Sequence, residues 1–575
     1  MLGLALGVLA GCSPAAQPVT PPRAPAGSAV SPLEVPGAGL TGPVGPVARS
    51  CQGVVITTAN DVQKIIGNHP PGTTFCLSAG TYRLPTPLVP KRGDELIGKL
   101  GAVLSGSEVL TGWQRNGNGW SAPGFLSAAP STDGECIASM PTCTYVQDVF
   151  FDQQRLRRVS SLSAVTAGTV YANYQTDVVT IGDDPQSHLV EQAVAPSLID
   201  ATVDDVTVAN LVLEEAANQA QVGVVEDRGP TPPVGSGTGW QILHDDIRLN
   251  HGVGIGFASA STIADNFIHN QGQLGFGSAG SGSVVTNNEI SFNGAAGYSS
   301  TWEAGGGKNW MVDDETFTHN YVHDNMGPGF WDDGGSVNTT YEYNKIVDNW
   351  GAGIQHEISY DAIIEHNEIS GNGFQVHMGW AWDAGIQIQS SGGAKLIDVA
   401  YNAVVNNYNG ITVLDSGDRV KDQPAPHGPH IVENVWVHNN TITMSGSQTT
   451  GAVEDDGHRA IFTANHNRFE ANTYYVDSLI IQHFSWASGN VDWSRWLRYG
   501  NDRAGRALLF YGSVGYPAPD DPPTGLLPYP RFAVARDGAS LAALQPVVGL
   551  PAARGLHAPG GARTPRLERV RRTTC

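Results

Sequence analysis

Short units of polar and aliphatic residues recur along the middle of the chain. From His244 to about Ile442 each unit begins with Asn or Asp, has an aliphatic residue two positions later and usually has Asn five positions later. The units recur roughly every 20 to 25 residues. They are Asp245-x-Ile247-x-x-Asn250, Asn288-x-Ile290-x-x-Asn293, Asn320-x-Val322-x-x-Asn325, Asn344-x-Ile346-x-x-Asn349, Asn367-x-Ile369-x-x-Asn372 and Asn402-x-Val404-x-x-Asn407, and Asn266-x-Ile268 fits with a slip of one residue.

A unit of this length predicts stacked coils of short strands. It is too short to bury both faces of a helix, but its inward aliphatic side chains can stack on those of the next coil. The repeated Asn residues are expected to form a structural ladder of amides at one turn. The pattern therefore predicts an all-β chain that folds as a right-handed parallel β-helix.

The segments outside the repeat predict the domain organisation. Short strands between Gly turns at 72–84 predict a cap, so we assign 51–240 to the cap and first coils, and 241–500 to the β-helix. The Pro/Ala-rich segment 13–50 is expected to be an extended tether that does not fold. The segment 501–575 lacks apolar periodicity and is expected to be a largely disordered, low-complexity tail.

Three insertions interrupt the repeat. They lie at about Gly294 to Asp314, Phe374 to Ala394 and Asp415 to Ile431. Long loops on a repeat scaffold usually line its binding face. We expect these loops to surround the functional site.

The N-terminal residues are typical of an export signal. Residues 1–10 are apolar, and Leu9-Ala10-Gly11-Cys12 resembles a lipoprotein processing site, in which Cys12 accepts the lipid. The alternative is an ordinary cleaved signal peptide. We expect a secreted or cell-surface protein whose membrane contact is this lipid anchor.

Export favours disulfide bonds among the remaining cysteines. Cys51 with Cys76 is the preferred pair, and Cys136 with Cys143 could form a second bridge. Cys575 is then left unpaired.

The charge balance excludes some partners. The chain has 32 Lys and Arg residues against 54 Asp and Glu residues, a net charge of −22. Such a field repels nucleic acid and anionic membrane surfaces. We therefore expect no nucleic-acid partner. The expected partner is an oligo- or polysaccharide, and the expected oligomeric state is a monomer.

The spacing of two carboxylates indicates hydrolytic chemistry. Asp333 and Glu357 are one repeat apart, so they should occupy equivalent places on adjacent coils, about 4.8 Å apart. Retaining glycosidases need two carboxyl groups about 5 to 5.5 Å apart, one as nucleophile and one as acid/base. Glu303 could add a third carboxylate, and the repulsion among the three would raise the pKa of the proton donor, which we assign to Glu357.

Other side chains near this pair are candidates for substrate binding. Lys308 could hold Glu303 ionised or contact substrate oxygens, and tryptophan faces can stack on sugar rings. The candidates are Trp302, Lys308, Trp331, Asp332, His356, Trp380 and Trp382. No metal ligand set is evident and the chemistry requires no cofactor, but acidic clusters leave Ca²⁺ binding open.

The motifs Trp302-Glu303-Ala-Gly-Gly, Gly329-Phe-Trp331-Asp-Asp333 and Glu357-Ile-Ser359 resemble those of the β-helix family of retaining β-xylosidases. The resemblance implies that Asp333 is the nucleophile, Glu357 the acid/base and Glu303 a further active-site carboxylate. The chain departs from the family at Gly334 and Tyr360-Asp361, where members carry Trp and His-Gly. Over a greater length the chain resembles exported β-helix repeat proteins of the pectate-lyase-like superfamily.

Two other functions compete with glycoside hydrolysis. A Ca²⁺-dependent polysaccharide lyase or uronate epimerase would use a base to remove the C5 proton. Lys308 is the only cation that the sequence places near the site, whereas an anionic polymer would normally meet several, so a neutral plant or microbial glycan is favoured. The third possibility is a surface adhesin that binds glycans without catalysis.

Overall fold

The structure is a computed structural model, which describes residues 35–510 apart from 118, 127–132, 230–231, 377, 380, 456 and 488. Most of this part of the chain forms stacked coils, most of which add one short strand to each of three mainly parallel sheets. The coils are in register, since Ile247 pairs with Ile268 and Ile268 with Ile290. The predicted parallel β-helix is confirmed.

The three long sheets contain most of the described strands. The first sheet consists of Val54–Ile56, Thr74–Leu77, Glu95–Gly98, Thr207–Ala209, Gln241–Leu243, Thr262–Ala264, Val284–Thr286, Thr316–Thr318, Thr339–Glu342, Ala362–Glu365, Gly392–Ala400, Glu433–His438 and Arg468–Glu470. The second sheet consists of Gly80–Arg83, Ala102–Ser105, Val212–Glu214, Asp246–Arg248, Phe267–His269, Glu289–Ser291, Tyr321–His323, Lys345–Val347, Glu368–Ser370, Ala403–Val405, Thr441–Met444, Thr473–Val476 and Arg506–Leu509. The third sheet consists of Ile199–Asp200, Gly223–Glu226, Val253–Phe257, Leu274–Ser278, Gly305–Trp310, Phe330–Asp333, Ile354–Glu357, Ala384–Gln389, Asn409–Asp415, Thr450–Glu454, Phe484–Ser485 and Asn490–Val491.

Two ladders of amide side chains line the turns, whereas the repeat predicts a ladder at one turn only. Asn344 is typical: its Oδ1 accepts hydrogen bonds from the backbone and side-chain nitrogens of Asn320, and its Nδ2 donates to Phe317 O and to Asn367 Oδ1. The first ladder is Asn266, Asn288, Asn320, Asn344, Asn367, Asn402, Asn440 and Asn472, and the second is Asn250, Gln271, Asn293, Asn325, Asn349, Asn372 and Asn407. The buried turns thus satisfy their polar groups from coil to coil.

A column of glycines accompanies the second ladder. A Cβ atom on Gly329 would lie 2.6 Å from Gly353 O and 3.2 Å from Asn349 Nδ2, so the ladder amide occupies the space of a side chain. Equivalent glycines are Gly254, Gly275, Gly306, Gly353 and Gly385. Close approach of backbone and amide therefore explains part of the high glycine content.

The segment 35–50 lies along the outside of the coils. Gly39 N donates to Tyr343 O and Gly45 N to Asp265 O, each at 2.8 Å. Val47 N donates to Asn210 Oδ1 at 2.6 Å. The expectation of a tether that does not fold is thus wrong for 35–50, because turn carbonyls and amides satisfy its extended backbone; residues 1–34, with Cys12, lie outside the described residues.

An unpredicted unit interrupts the first coils. It has a four-stranded sheet of Gln154–Arg155, Val149–Phe151, Val190–Ala193 and Ser107–Val109, and a five-stranded sheet of Arg157–Arg158, Thr169–Asn173, Val178–Ile181, Gly119–Pro123 and Gln114–Asn116. Most of its strand pairs are antiparallel. The sequence assigns this region to ordinary coils and cap, but it is a separate unit with its own core around Val149 and Val179.

Short helices lie near both ends of the stack. The helix Val62–Asn68 begins at Asp61, whose side chain accepts from Lys64 N, and it buries Val62 and Ile66. Near the other end, the helix Trp493–Arg498 buries Trp496. The remaining helical turns are Leu162–Ala164 and Arg459–Phe462.

The predicted boundary of the C-terminal tail needs a correction. Strand Arg506–Leu509 pairs with Thr473–Val476 and so belongs to the second sheet. The fold therefore continues past 501, and residues 511–575 lie outside the described residues.

Both expected disulfides, Cys51–Cys76 and Cys136–Cys143, are present. In the described part of the chain, no helix is long and apolar enough to cross a membrane.

Candidate active site

The candidate site lies on the outward face of the third sheet. Its strands Phe330–Asp333 and Ile354–Glu357 pair in parallel, with Asp332 opposite His356. Side chains alternate along a strand, so the next residues, Asp333 and Glu357, point outward from the same position on adjacent coils. The predicted juxtaposition of the two carboxylates is therefore present in the fold.

A cleft of about 450 Å³ opens above this pair. It is lined by residues from the three predicted insertions, including Thr301, Met378 and Arg419. Of the predicted site residues, the cleft brings together Trp302, Glu303, Lys308, Trp331, Asp333, Glu357 and Trp382. Trp380 lies outside the described residues.

Lys308 joins two of the three carboxylates. Its Nζ lies 2.5 Å from Glu303 Oε1 and 2.7 Å from Asp333 Oδ2. Burial alone would lower the pKa of Lys308, but the negative charges of Asp333 and Glu303 raise it above its usual value. Lys308 is thus a fixed cation that bridges the two carboxylates.

Glu303 is held by its surroundings in an unusual backbone conformation. Its φ of 133° is in a region that L-residues rarely adopt. Gln221 Nε2 donates to its carboxylate, and Gln273 Nε2 donates to its carbonyl oxygen at 2.9 Å. Together with Lys308, these bonds fix the carboxylate at the edge of the cleft.

Glu357 accepts hydrogen bonds from three side chains. Trp331 Nε1 and Gln355 Nε2 donate to Oε2 at 3.0 and 2.8 Å, and Arg419 Nη2 lies 2.6 Å from Oε1. Burial and the negative charge of Asp333 nevertheless raise the pKa of Glu357 above its usual value, against the opposing charge of Arg419. A buried carboxyl with a raised pKa is suited to donating and accepting protons.

Two predicted substrate-binding residues do not reach the cleft. Asp332 and His356 are fully buried, because they alternate with the outward residues and point into the coil. His356 Nδ1 lies 2.7 Å from Asp332 Oδ2, and Tyr341 and Asn309 also donate to Asp332. The assignment of Asp332 and His356 to substrate binding is therefore wrong, and they form a polar layer beneath the cleft.

Trp331 also has a different role from the expected sugar platform. Lys308 Nζ lies 4.1 Å from the centre of its ring, and the residue is only 7% exposed. Its face and its indole N–H are therefore occupied by Lys308 and Glu357. Trp302 and Trp382 are half-buried and remain the candidates for stacking on a sugar ring.

The inserted unit supports the loop that carries Trp302. Tyr298 stacks on Trp302 with a centroid distance of 5.7 Å and forms a backbone bridge with Cys136. Buried His251 lies 2.9 Å from Asp148 Oδ2 and 3.2 Å from the Tyr298 hydroxyl. The disulfide-bonded loop of the inserted unit thus packs behind one wall of the cleft.

Sequence reasoning missed Arg419. The sequence places Lys308 alone as a cation near the site, but Arg419 reaches the cleft from the insertion Asp415 to Ile431. The break in the repeat predicts a loop there, but it carries no signal of where one side chain of that loop points. Among the described residues, no cluster of three or more His, Cys, Asp or Glu residues could hold a metal ion.

Comparison with known families supports the coil architecture. The family model described as "Right handed beta helix region" matches residues 234–397 and 306–423. The protein is a right-handed parallel β-helix. These matches cover the coils that carry Asp333 and Glu357, and the sequence prediction of the fold and its handedness is confirmed.

Several solved structures are similar to this β-helix. XylC in complex with xylose has 16% identity and a TM-score of 0.44, over 69% of this chain and 83% of that chain. The A-module of the Azotobacter vinelandii mannuronan C-5 epimerase AlgE6 has 14% identity and a TM-score of 0.43, over 78% and 93%. The catalytic unit of the GH87 α-1,3-glucanase from Streptomyces thermodiastaticus strain HF3-3 has 11% identity and a TM-score of 0.41, over 75% and 65%. A comparison with curated proteins gives no match.

Proposed function

We propose that the protein is a carbohydrate-active enzyme, a retaining glycoside hydrolase that acts on a neutral plant or microbial glycan. The observation that carries this proposal is the outward placement of Asp333 and Glu357 at one strand position on adjacent coils, inside a cleft. Adjacent strands are about 4.8 Å apart, close to the separation of about 5 to 5.5 Å that a retaining pair needs. Trp302 and Trp382 supply apolar faces for sugar rings.

Asp333 is the proposed nucleophile. Its Oδ2 is paired with Lys308, and its Oδ1 accepts a hydrogen bond from Gly334 N at 2.7 Å. The two contacts hold both oxygens of the carboxylate in place. The Asp333 carboxylate attacks the anomeric carbon, and the bond from that carbon to the leaving oxygen breaks.

Glu357 is the proposed acid/base. It gives its proton to the leaving oxygen in the first step, and in the second step it takes a proton from the water that cleaves the Asp333 ester. Its raised pKa supports the first role, because a raised pKa favours the protonated form that a general acid must start from. Trp331 and Gln355 hold the carboxyl in place in both steps.

The first experiment is a panel of neutral and uronic glycans assayed for reducing sugar and for unsaturated product. The parent, Asp333→Asn and Glu357→Gln are compared with and without a chelator, and Asp313→Asn serves as control because this exposed carboxylate does not line the cleft. We expect chelator-resistant hydrolysis that falls at least about 1,000-fold in both site variants and is unchanged in the control.

Each other outcome assigns a different function. Chelator-sensitive activity with an unsaturated product would indicate a Ca²⁺-dependent lyase. An inactive parent that still binds a glycan would indicate an adhesin.

A separate labelling experiment tests the covalent step of the proposed mechanism. A 2-fluoroglycoside that labels Asp333 would establish this step.

We propose further that the protein is exported, lipid-anchored through Cys12, and monomeric. The sequence Leu9-Ala10-Gly11-Cys12 supports the anchor. Labelling of cells with a fatty-acid analogue should mark the parent but not Cys12→Ser. Light scattering of a variant that starts after Cys12 should give the mass of one chain.

A further inference from the structure

The two oxygens of Glu357 have different kinds of partners. Oε2 accepts from Trp331 Nε1 and Gln355 Nε2, which lie on strands of the sheet. A carboxylate oxygen has about two acceptor sites, so Oε2 has no place for a proton. The proton that Glu357 donates must therefore reside on Oε1, where Arg419 Nη2 lies at 2.6 Å.

Protonation of Oε1 and this ion pair oppose each other. A neutral carboxyl no longer has the charge that binds the guanidinium, and the guanidinium favours the ionised carboxyl. In this position Arg419 therefore opposes the protonation of Oε1 that proton donation by Glu357 requires.

Arg419 is placed so that it can move. It belongs to a loop between strands, its side chain is 31% exposed, and its Nη1 pairs with Asp422 at 3.2 Å. Among the described residues no acceptor bonds to its buried Nε. The charged groups around the pair are Asp333 and Lys308 on the sheet, Asp418, Asp422 and His430 on the loop, and Asp455 just after the strand Thr450–Glu454.

We propose that Arg419 is a displaceable partner of Glu357: it opposes protonation of this carboxyl in the free protein, and it is separated from the carboxyl when a sugar enters the cleft. Glu357 then takes one proton from solvent at Oε1 and gives it to the leaving oxygen. Arg419 lines the cleft together with Glu357, Asp418 and Asp455, so a sugar that enters the cleft beside Glu357 also meets this side chain. The inference rests on the proposed function and adds a positioning residue to it.

The test compares two pH profiles. The alkaline limb of kcat/KM reports the pKa of the acid in the free enzyme, and that of kcat reports the same group in the complex. The substrate is the unactivated disaccharide of the panel that the parent cleaves fastest, because an aryl leaving group needs little proton donation. In Arg419→Gln we expect the kcat/KM limb to move up by about one pH unit, while the kcat limb stays in place.

Two variants control this test. Lys421→Gln removes the same charge from an exposed position on the same loop, and it should move neither limb. Arg419→Lys keeps the charge and should restore the kcat/KM limb at least partly, which excludes a misfolded loop.

The opposing outcomes are distinct from failure of the proposed function. If both limbs shift equally in Arg419→Gln, Arg419 of the parent stays paired with Glu357 when substrate is bound. If neither limb shifts, Arg419 does not affect the ionisation of the catalytic acid. Either result overturns the inference. A parent without hydrolytic activity, or an active Glu357→Gln, overturns the proposed function instead.

Discussion

Asp332 Oδ2 lies 2.7 Å from His356 Nδ1, and neither side chain is exposed to solvent. His356 Nε2 faces the carbonyl of Tyr360 at 2.6 Å, so this nitrogen carries a hydrogen and the ring is held from both sides. The two residues alternate with Asp333 and Glu357 along their strands. The buried pair thus fixes the coils from beneath the candidate catalytic carboxylates.

Asp332→Asn should destabilise the protein by about 3 to 5 kcal/mol at pH 7, because it removes one partner of a buried pair. Burial would raise the pKa of Asp332, but the hydrogen bond and charge of His356, with Asn309 and Tyr341, lower it overall. When folding lowers the pKa of a carboxyl, the resulting stabilisation is complete above the pKa of the unfolded state and is lost as the pH falls through the pKa of the folded state.

Urea unfolding of the parent and Asp332→Asn checks this prediction at two pH values. The difference in unfolding free energy should be full at pH 7 and should narrow below about pH 4, the unfolded pKa of an aspartate. Exposed Asp313→Asn should have little effect at either pH. A difference that does not change with pH would contradict the assignment of Asp332 as the ionised partner.

Asn344→Ala should destabilise the stack by about 3 kcal/mol, because it leaves several buried ladder partners without hydrogen bonds. The affected groups are on Asn320, Phe317 and Asn367. Urea unfolding gives the free energy, and Asn116→Ala is the control because its exposed side chain bonds only to Ser121 among the described residues. Equal stability of the two variants would show that the ladder contributes little.

Glycine-to-alanine substitutions should have opposite signs at two positions. A Cβ on Gly307 would collide with the ring of buried Phe276, so Gly307→Ala should cost about 1 to 3 kcal/mol. At Gly67, within the helix Val62–Asn68, a Cβ meets no described atom within 4 Å, and alanine should stabilise the helix by about 0.5 to 1 kcal/mol. Thermal unfolding of both variants measures the two signs, and a stabilising Gly307→Ala would refute the close packing.

The sequence predicts the parts of the molecule that repeat. The period of the Asn units fixes the coil length, and the coil length then places Asp333 beside Glu357 without any knowledge of loops. The inward position of Asp332 and His356 was also available from strand alternation, since a residue next to an outward one must point inward.

The parts that do not repeat could not be predicted in the same way. Arg419 reaches Glu357 from 62 residues further along the chain, through a loop whose course no periodicity defines. The inserted antiparallel unit lacks the Asn spacing, so the sequence gives no sign that it packs behind the loop of Trp302. The bonds of segment 35–50 depend on turn carbonyls and an amide from distant coils, which only the stacking of the coils brings into one row.

Glu315 should make the protein less stable as pH rises. Its side chain is fully buried, Ser278 Oγ donates to its Oε2 at 3.1 Å, and no described group bonds to Oε1. Burial, and less strongly the charge of Asp332, raises the pKa of Glu315 well above its usual value. When folding raises the pKa of a carboxyl, stability is full below the pKa of the unfolded state, about 4.3. It then falls by about 1.4 kcal/mol per pH unit until the pKa of the folded state is reached.

Glu315→Gln cannot ionise, so its urea midpoint should exceed that of the parent at pH 8 and approach it near pH 4, whereas exposed Glu470→Gln should follow the parent throughout. Parallel curves for the parent and Glu315→Gln would mean that Glu315 is not protonated in the folded protein.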